Sequence, residues 1–323
     1  MPVGNSDQGV GLNAGDIMVS SDFFYQFIDW RHDQIDDSEP YDHEGTLSTT
    51  IISPTITIGL SDWWNLSFQQ IVGTRHMGWE LDETSVHHRE EHSHSNFLNA
   101  IGGYLGDARL MLRYLALNIG RGQGSRLFFG LGYVMPSKNT LSQSPFLKDD
   151  DENSDTYGEY FNHRHFSMSV GVKKIVFETQ YYYKKIKNPV FLGMSFKIDE
   201  PLSDNEYGFS GSRLTELSLS FLFNKNNFMK IPYGLHVVAS HENEAFWNDV
   251  PAPNSENIII TPGMSLFWNT NFANLSLGMQ LPIFLNPVMS ESGETDLNSE
   301  AKAFQISLSM RKVLDYSIPW LYW

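Results

Sequence analysis

The chain has 323 residues, of which 38 are acidic and 22 basic, giving a formal net charge of −16. That balance excludes a nucleic-acid partner, whose phosphates require a basic surface. A transmembrane helix is excluded because no run of eighteen apolar residues exists. Aromatic residues make up 14% of the chain, hydrophobic residues 41%, and cysteine is absent. Two classes remain, a soluble β protein or a membrane barrel, since in a barrel only every second strand residue meets lipid and average polarity stays high.

Residues 1–16, MPVGNSDQGVGLNAGD, show no alternation, and they have neither the basic nor the apolar region of a signal peptide. They are read as an N-terminal periplasmic or plug segment, with a signal peptide absent from this sequence. From residue 17 onward, apolar residues recur at every second position, the pattern of a strand with one greasy face. The first stretch, 17–30, is irregular; the next sets Ile52, Ile56, Ile58 and Leu60 against Ser53, Thr55, Thr57 and Gly59. Then come 64–72, 110–114, 127–133 and 166–170, followed by 177–183, 217–223, 231–237, 258–268, 275–283 and 304–310. These are twelve predicted strands in all.

The connections between them alternate in length. Short ones are expected near 61–62, 119–125, 171–174, 224–227 and 269–273, and long ones over 32–46, 77–103, 138–163, 188–212, 241–256 and 287–302. Short turns at one end and long loops at the other is how outer-membrane barrels are built, and a sandwich does not sort its loops in this way. Most of the acidic residues fall in the long segments, which makes that rim either a solvated surface or a cation-attracting mouth. Aromatic residues near strand ends, such as Trp63, Trp64, Trp79, Tyr133, Trp268 and Trp320, suit interfacial girdles. The expected fold is therefore all-β, a single transmembrane antiparallel up-and-down barrel of about 12 strands over 17–323, of the outer-membrane type.

Several stretches in the first half carry a family likeness: GLSDWWNLSFQQIVGTRHMGW, a His-rich loop, GGYLGDARLMLRYLAL and RLFFGLGYVMPSKN. Together they resemble the outer-membrane transporter family named for the meta-pathway of phenol degradation. The matching places are Gly59 to Asp62, Arg75 and His76, His92 and His94, Gly106 and Asp107, and Pro136. Two departures stand out: Tyr104 and Leu105 precede Gly106 where the family favours Gly-Leu, and Ser137-Lys138 replaces a terminal Thr-Gly or Ser-Gly. The resemblance implies a monomeric transport barrel that is not an enzyme.

Candidate sites follow from the faces. Arg109, Arg113, Glu178, Lys184, Glu216, His236 and Arg311 lie on the polar faces and are expected to line the lumen, either along a permeation path or as compensated charges that stiffen the wall. In the stretch HHREEHSHS, residues 87–95, His92 and His94 project from one face if the segment is extended, and with His76 they form a candidate zinc or copper site. A solvated His/Glu loop is the plain alternative. No GxSxG, P-loop or HExxH motif is present. The expected function is passive passage of a small hydrophobic or aromatic solute across the cell outer membrane; the alternative is a structural or cation-binding barrel whose acidic loops hold metal or a protein partner. Outer-membrane lipid and the barrel-insertion machinery are the other expected partners.

Overall fold

The computed structural model describes residues 8–32, 43–79, 104–120, 123–142, 144, 153, 157, 167–226, 229–252, 255–286 and 300–321. Nine consecutive strands open the sheet: β1 (Asp16–His32), β2 (His43–Gly59), β3 (Trp64–Trp79), β4 (Leu105–Asn118), β5 (Gly124–Met135), β6 (Lys174–Lys184), β7 (Phe191–Pro201), β8 (Leu214–Phe223) and β9 (Tyr233–Glu242). A separate two-strand hairpin, β10 (Phe246–Trp247) and β11 (Val250–Pro251), precedes β12 (Asn257–Asn269), β13 (Asn274–Gln280), β14 (Ile283–Phe284) and β15 (Glu300–Ser317). Each barrel strand pairs antiparallel with the next, and β15 returns to pair with β1 from Asp16 to Arg31, which closes the sheet. β13 and β14 are one stave interrupted at Leu281-Pro282, so the wall is an all-β closed barrel of twelve antiparallel strands. No helix among the described residues is long and apolar enough to cross a membrane.

Polarity is inverted relative to a soluble domain. On β15, Ile306 and Leu308 are 39% and 45% exposed, while Ser307 and Ser309 between them are 2% and 0% exposed. The same alternation sets outward Ile52 and Ile56 against buried Thr55 and Thr57, and outward Leu277 and Met279 against buried Ser276 and Gln280. Large apolar side chains are the residues a soluble fold hides; here they form a continuous outer belt, as lipid contact requires. At the short-turn end the belt meets aromatic residues, with the rings of Trp64 and Tyr114 centred 4.8 Å apart and Trp63, Trp268 and Trp320 exposed nearby.

Strand number agrees with the sequence reading, but one strand does not. Ser167–Val170 lies outside any strand, and β7 occupies 191–201, inside the expected long loop 188–212. The short turn between these staves is accordingly 185–190 rather than 171–174, and β6 runs in the opposite direction to the one expected. The reason is pairing: the edge of β5 is taken by β6 over Val134↔Lys174 to Gly124↔Lys184, so 167–170 has no edge to join. Its alternating side chains serve the barrel mouth instead, where Met168 and Ser169 are buried.

One ladder of the wall is interrupted by a proline. β13 pairs with β15 up to Gln280↔Gln305; beyond Pro282, whose nitrogen has no hydrogen to donate, β14 pairs with β12 alone among the described residues. Leu281 N donates to Pro262 O (3.0 Å) and Leu285 N to Ile258 O (2.8 Å), which keeps this upper stave on the β12 side.

Candidate functional site

The barrel interior is layered. Nearest the long-loop end, Arg109 on β4 donates to Asp199 on β7 (2.8 Å) across the lumen, and Lys197 pairs with Glu216 on β8. One layer deeper, the Arg113 Nε donates to Glu178 (2.7 Å) and its Nη1 to the Ser67 hydroxyl (3.2 Å). Both ions are almost fully buried, and such a pair is tolerated only when its remaining donors and acceptors are satisfied.

The N-terminal segment supplies part of that satisfaction. Gln8 Nε2 donates to the second oxygen of Glu178 (3.2 Å), the Gly9 amide donates to Gln180 Oε1 (3.0 Å), and Asn65 Nδ2 donates to Val10 O (2.7 Å). At its exit, Gly15 N donates to Gly59 O and Ile318 N to Gly15 O, both 2.8 Å, so residues 8–15 run up the lumen from the short-turn end. Below the ion pair the filling turns aromatic: Leu115, Phe128 and Tyr182 form a buried cluster with Phe191 packed against it, and the Tyr182 hydroxyl donates to Gln180 (3.1 Å). Tyr182 lies flat across Gly193, where an added Cβ would stand 3.1 Å from its ring and 2.5 Å from Ser220 Oγ. On the other wall, the Gln280 amide donates to His236 Nε2 (2.8 Å).

At the long-loop end, three connections pack into one cap. Arg75 Nη1 donates to Ser167 O (3.0 Å), Ser169 N to Asn139 O (3.0 Å), and Lys174 Nζ to Ser212 O (3.3 Å). The β10–β11 hairpin adds Ala245, Trp247 and Ala252, with Phe209 4.9 Å from the Trp247 ring. At the short-turn end the lumen instead widens into a cavity of about 910 Å³. Leu222, Ile231, Phe267 and Trp268 give it an apolar side; Asn269, Asn274, Lys225 and Arg311 give it a polar one.

Of the residues expected to line the lumen, Arg113 and Glu178 come together, Arg109 and Glu216 pair with Asp199 and Lys197, and His236 and Arg311 face inward elsewhere. Lys184 stands exposed at the short-turn rim, at the end of β6. Lys197 and Asp199 were not among the expected set, although LGMSFKID at 192–199 alternates as cleanly as other strands. Gln8 carried no periodic signal. His76 lies next to lumen-facing Arg75, so strand alternation puts it on the outer face; His92 and His94 lie outside the described residues. Among the described residues, no three His, Asp or Glu side chains converge as a metal site.

A filled, inside-out barrel with a capped loop end and an open vestibule defines the outer-membrane barrel class. No protein-family model matches the chain, and no curated protein matches it in sequence. A solved structure does share the fold. An outer membrane channel from Pseudomonas putida F1 aligns with 12% identity and a TM-score of 0.55 over 95% of this chain and 99% of that one. A variant of the monoaromatic hydrocarbon channel TodX aligns with 10% identity and a TM-score of 0.48 over 97% and 93% of the two chains. A Pseudomonas aeruginosa FadL homologue gives 7% identity and 0.42 over 93% and 92%.

Proposed function

We propose that this chain is an outer-membrane channel that passes a small hydrophobic or aromatic solute without energy input, and that residues 1–16 act as its plug. The observation that carries the reading is the vestibule: the lumen widens at one end into about 910 Å³ faced by Leu222, Ile231, Phe267 and Trp268. Apolar surface inside a membrane barrel, where lipid already solvates the outside, offers an apolar solute a place to leave water. The fold shared with a protein described as an outer membrane channel supports the same direction, as does the resemblance to the transporter family named for phenol degradation. Outer-membrane lipid and the insertion machinery are the partners this reading requires.

The competing reading is a structural barrel that conducts little. It draws on the compensated charges and on Gln8, which fill the lumen at the level of Glu178. Planar-bilayer recording of the full chain and of a deletion of residues 1–15 separates the two. The channel reading expects rare openings for the full chain, larger and more frequent openings for the deletion, and uptake of an aromatic solute into vesicles by both. Absence of openings and uptake in both proteins overturns it.

A further inference from the structure

Three of the inward cations at mid-barrel have acidic partners: Arg109 with Asp199, Arg113 with Glu178 and Lys197 with Glu216. Arg311 is different. It sits on the lumen face of β15, paired in the sheet with Ser20 on β1 and Asn274 on β13, both neutral. No hydrogen bond or ion pair joins it to another described residue; its electrostatic neighbour is the Tyr182 hydroxyl, and the acidic position on the same face is Asp22, which pairs in the sheet with Ser309 rather than with Arg311. It lines the vestibule, whose wall also carries Lys225 and, among the described residues, no acidic one. Three buried hydroxyls beside it, on Ser20, Ser276 and Ser309, also have no hydrogen-bond partner among the described residues. In a chain of net charge −16, the charged residues described in this wall are both cationic.

A cation drawn out of bulk water without a partner is unfavourable, and the usual remedy is an anion held by charge-assisted hydrogen bonds. We infer that the vestibule binds an organic carboxylate, its oxygens on the Arg311 guanidinium and its apolar body against Phe267, Leu222 and Ile231. The planar fork of arginine matches the two oxygens of a carboxylate. The apolar wall selects an anion with a hydrocarbon or aromatic body over an inorganic one, because an inorganic ion would leave that surface in contact with water. Asn274 and Asn269 can donate to oxygens that the guanidinium leaves over.

This inference deepens the channel reading and rests on it only in placing the pocket on a solute's route. The test is equilibrium binding to the purified full-length barrel in detergent at low salt, by calorimetry, with benzoate as the anionic probe and benzamide as its neutral counterpart. The unmodified protein should bind benzoate saturably, at least about tenfold more tightly than benzamide, as expected for a charged hydrogen bond. Arg311→Gln should erase that preference and Arg311→Lys should keep part of it, while Phe267→Ala should weaken both probes alike. Should Arg311→Gln fail to fold, Asn274→Asp gives the same answer: it sets a carboxylate beside Arg311 in the sheet and should displace benzoate only. Benzoate bound no better than benzamide, or a preference that survives both Arg311→Gln and Asn274→Asp, overturns the site. Conductance is a separate readout: its absence with intact benzoate preference refutes the channel, and its presence without that preference refutes the carboxylate site.

Discussion

Replacing Glu178 by alanine should be among the most destabilising single changes in the barrel. The carboxylate is 5% exposed and accepts from Arg113 at 2.7 Å and from Gln8 at 3.2 Å; Arg113 itself is 6% exposed. Removing one member of a buried pair leaves the other charge desolvated, at a cost of about 3–5 kcal/mol, to which the Gln8 bond adds about 1 kcal/mol. Arg113 would still reach the Ser67 hydroxyl, a neutral acceptor that replaces only a fraction of the carboxylate's effect. Urea unfolding of the protein in lipid vesicles, followed by tryptophan fluorescence, reads the loss directly. The double replacement Arg113→Met with Glu178→Leu should recover most of it, because it removes both charges and fills the space. A loss below about 1 kcal/mol for Glu178→Ala, or a double variant whose loss is the sum of the singles, would refute the claim that these two ions form one buried unit.

Other outcomes follow from facing and contact. Leu219→Arg puts a charge on the lipid side and should cost about 2–4 kcal/mol if near the midplane, whereas Ser218→Arg, beside Ser195 on the lumen side, should be far milder; folding yield into vesicles compares them, and equal yields would mean the register is wrong. Gly193→Val should displace the Tyr182 ring and cost about 1–3 kcal/mol, as overpacking does, visible as a lower unfolding midpoint. Gln8→Ala should leave the wall intact yet raise single-channel open probability, since it removes the side-chain contact between the N-terminal segment and Glu178.

The outer face was legible because membrane contact imposes a simple rule on sequence: β15 shows Ile306, Leu308 and Met310 outward with Gln305, Ser307 and Ser309 between them. That rule gave the strand number and the sorting of loops. It missed β7, although 192–199 alternates cleanly, and it placed a strand over 167–170, where alternation serves a loop tucked into the mouth. Strand identity depends on a free partner edge, and a single strand's pattern does not contain that information. The inner contacts were less legible still. Arg109 meets Asp199 across the lumen from strands that are not neighbours, and Gln8 meets Glu178 from a segment with no periodicity at all. Such pairs are set by barrel diameter and stagger rather than by local spacing.

The break at Leu281-Pro282 places an interrupted ladder between strands that the chain already tethers. β1 and β15 stand some 300 residues apart, and their ladder runs from Asp16 to Arg31; β13 and β15 are sequential and stop pairing at Gln280. Bringing distant segments together costs more entropy than bringing near ones together, here by about 2 kcal/mol on the logarithmic loop-length scaling. Rupture of the β1–β15 ladder would free the two ends of the chain from each other, while parting of β14 from β15 leaves them tied through 287–299 and quick to return. Amide exchange along 300–304 should therefore run ahead of exchange along 305–311, as breathing that never becomes unfolding.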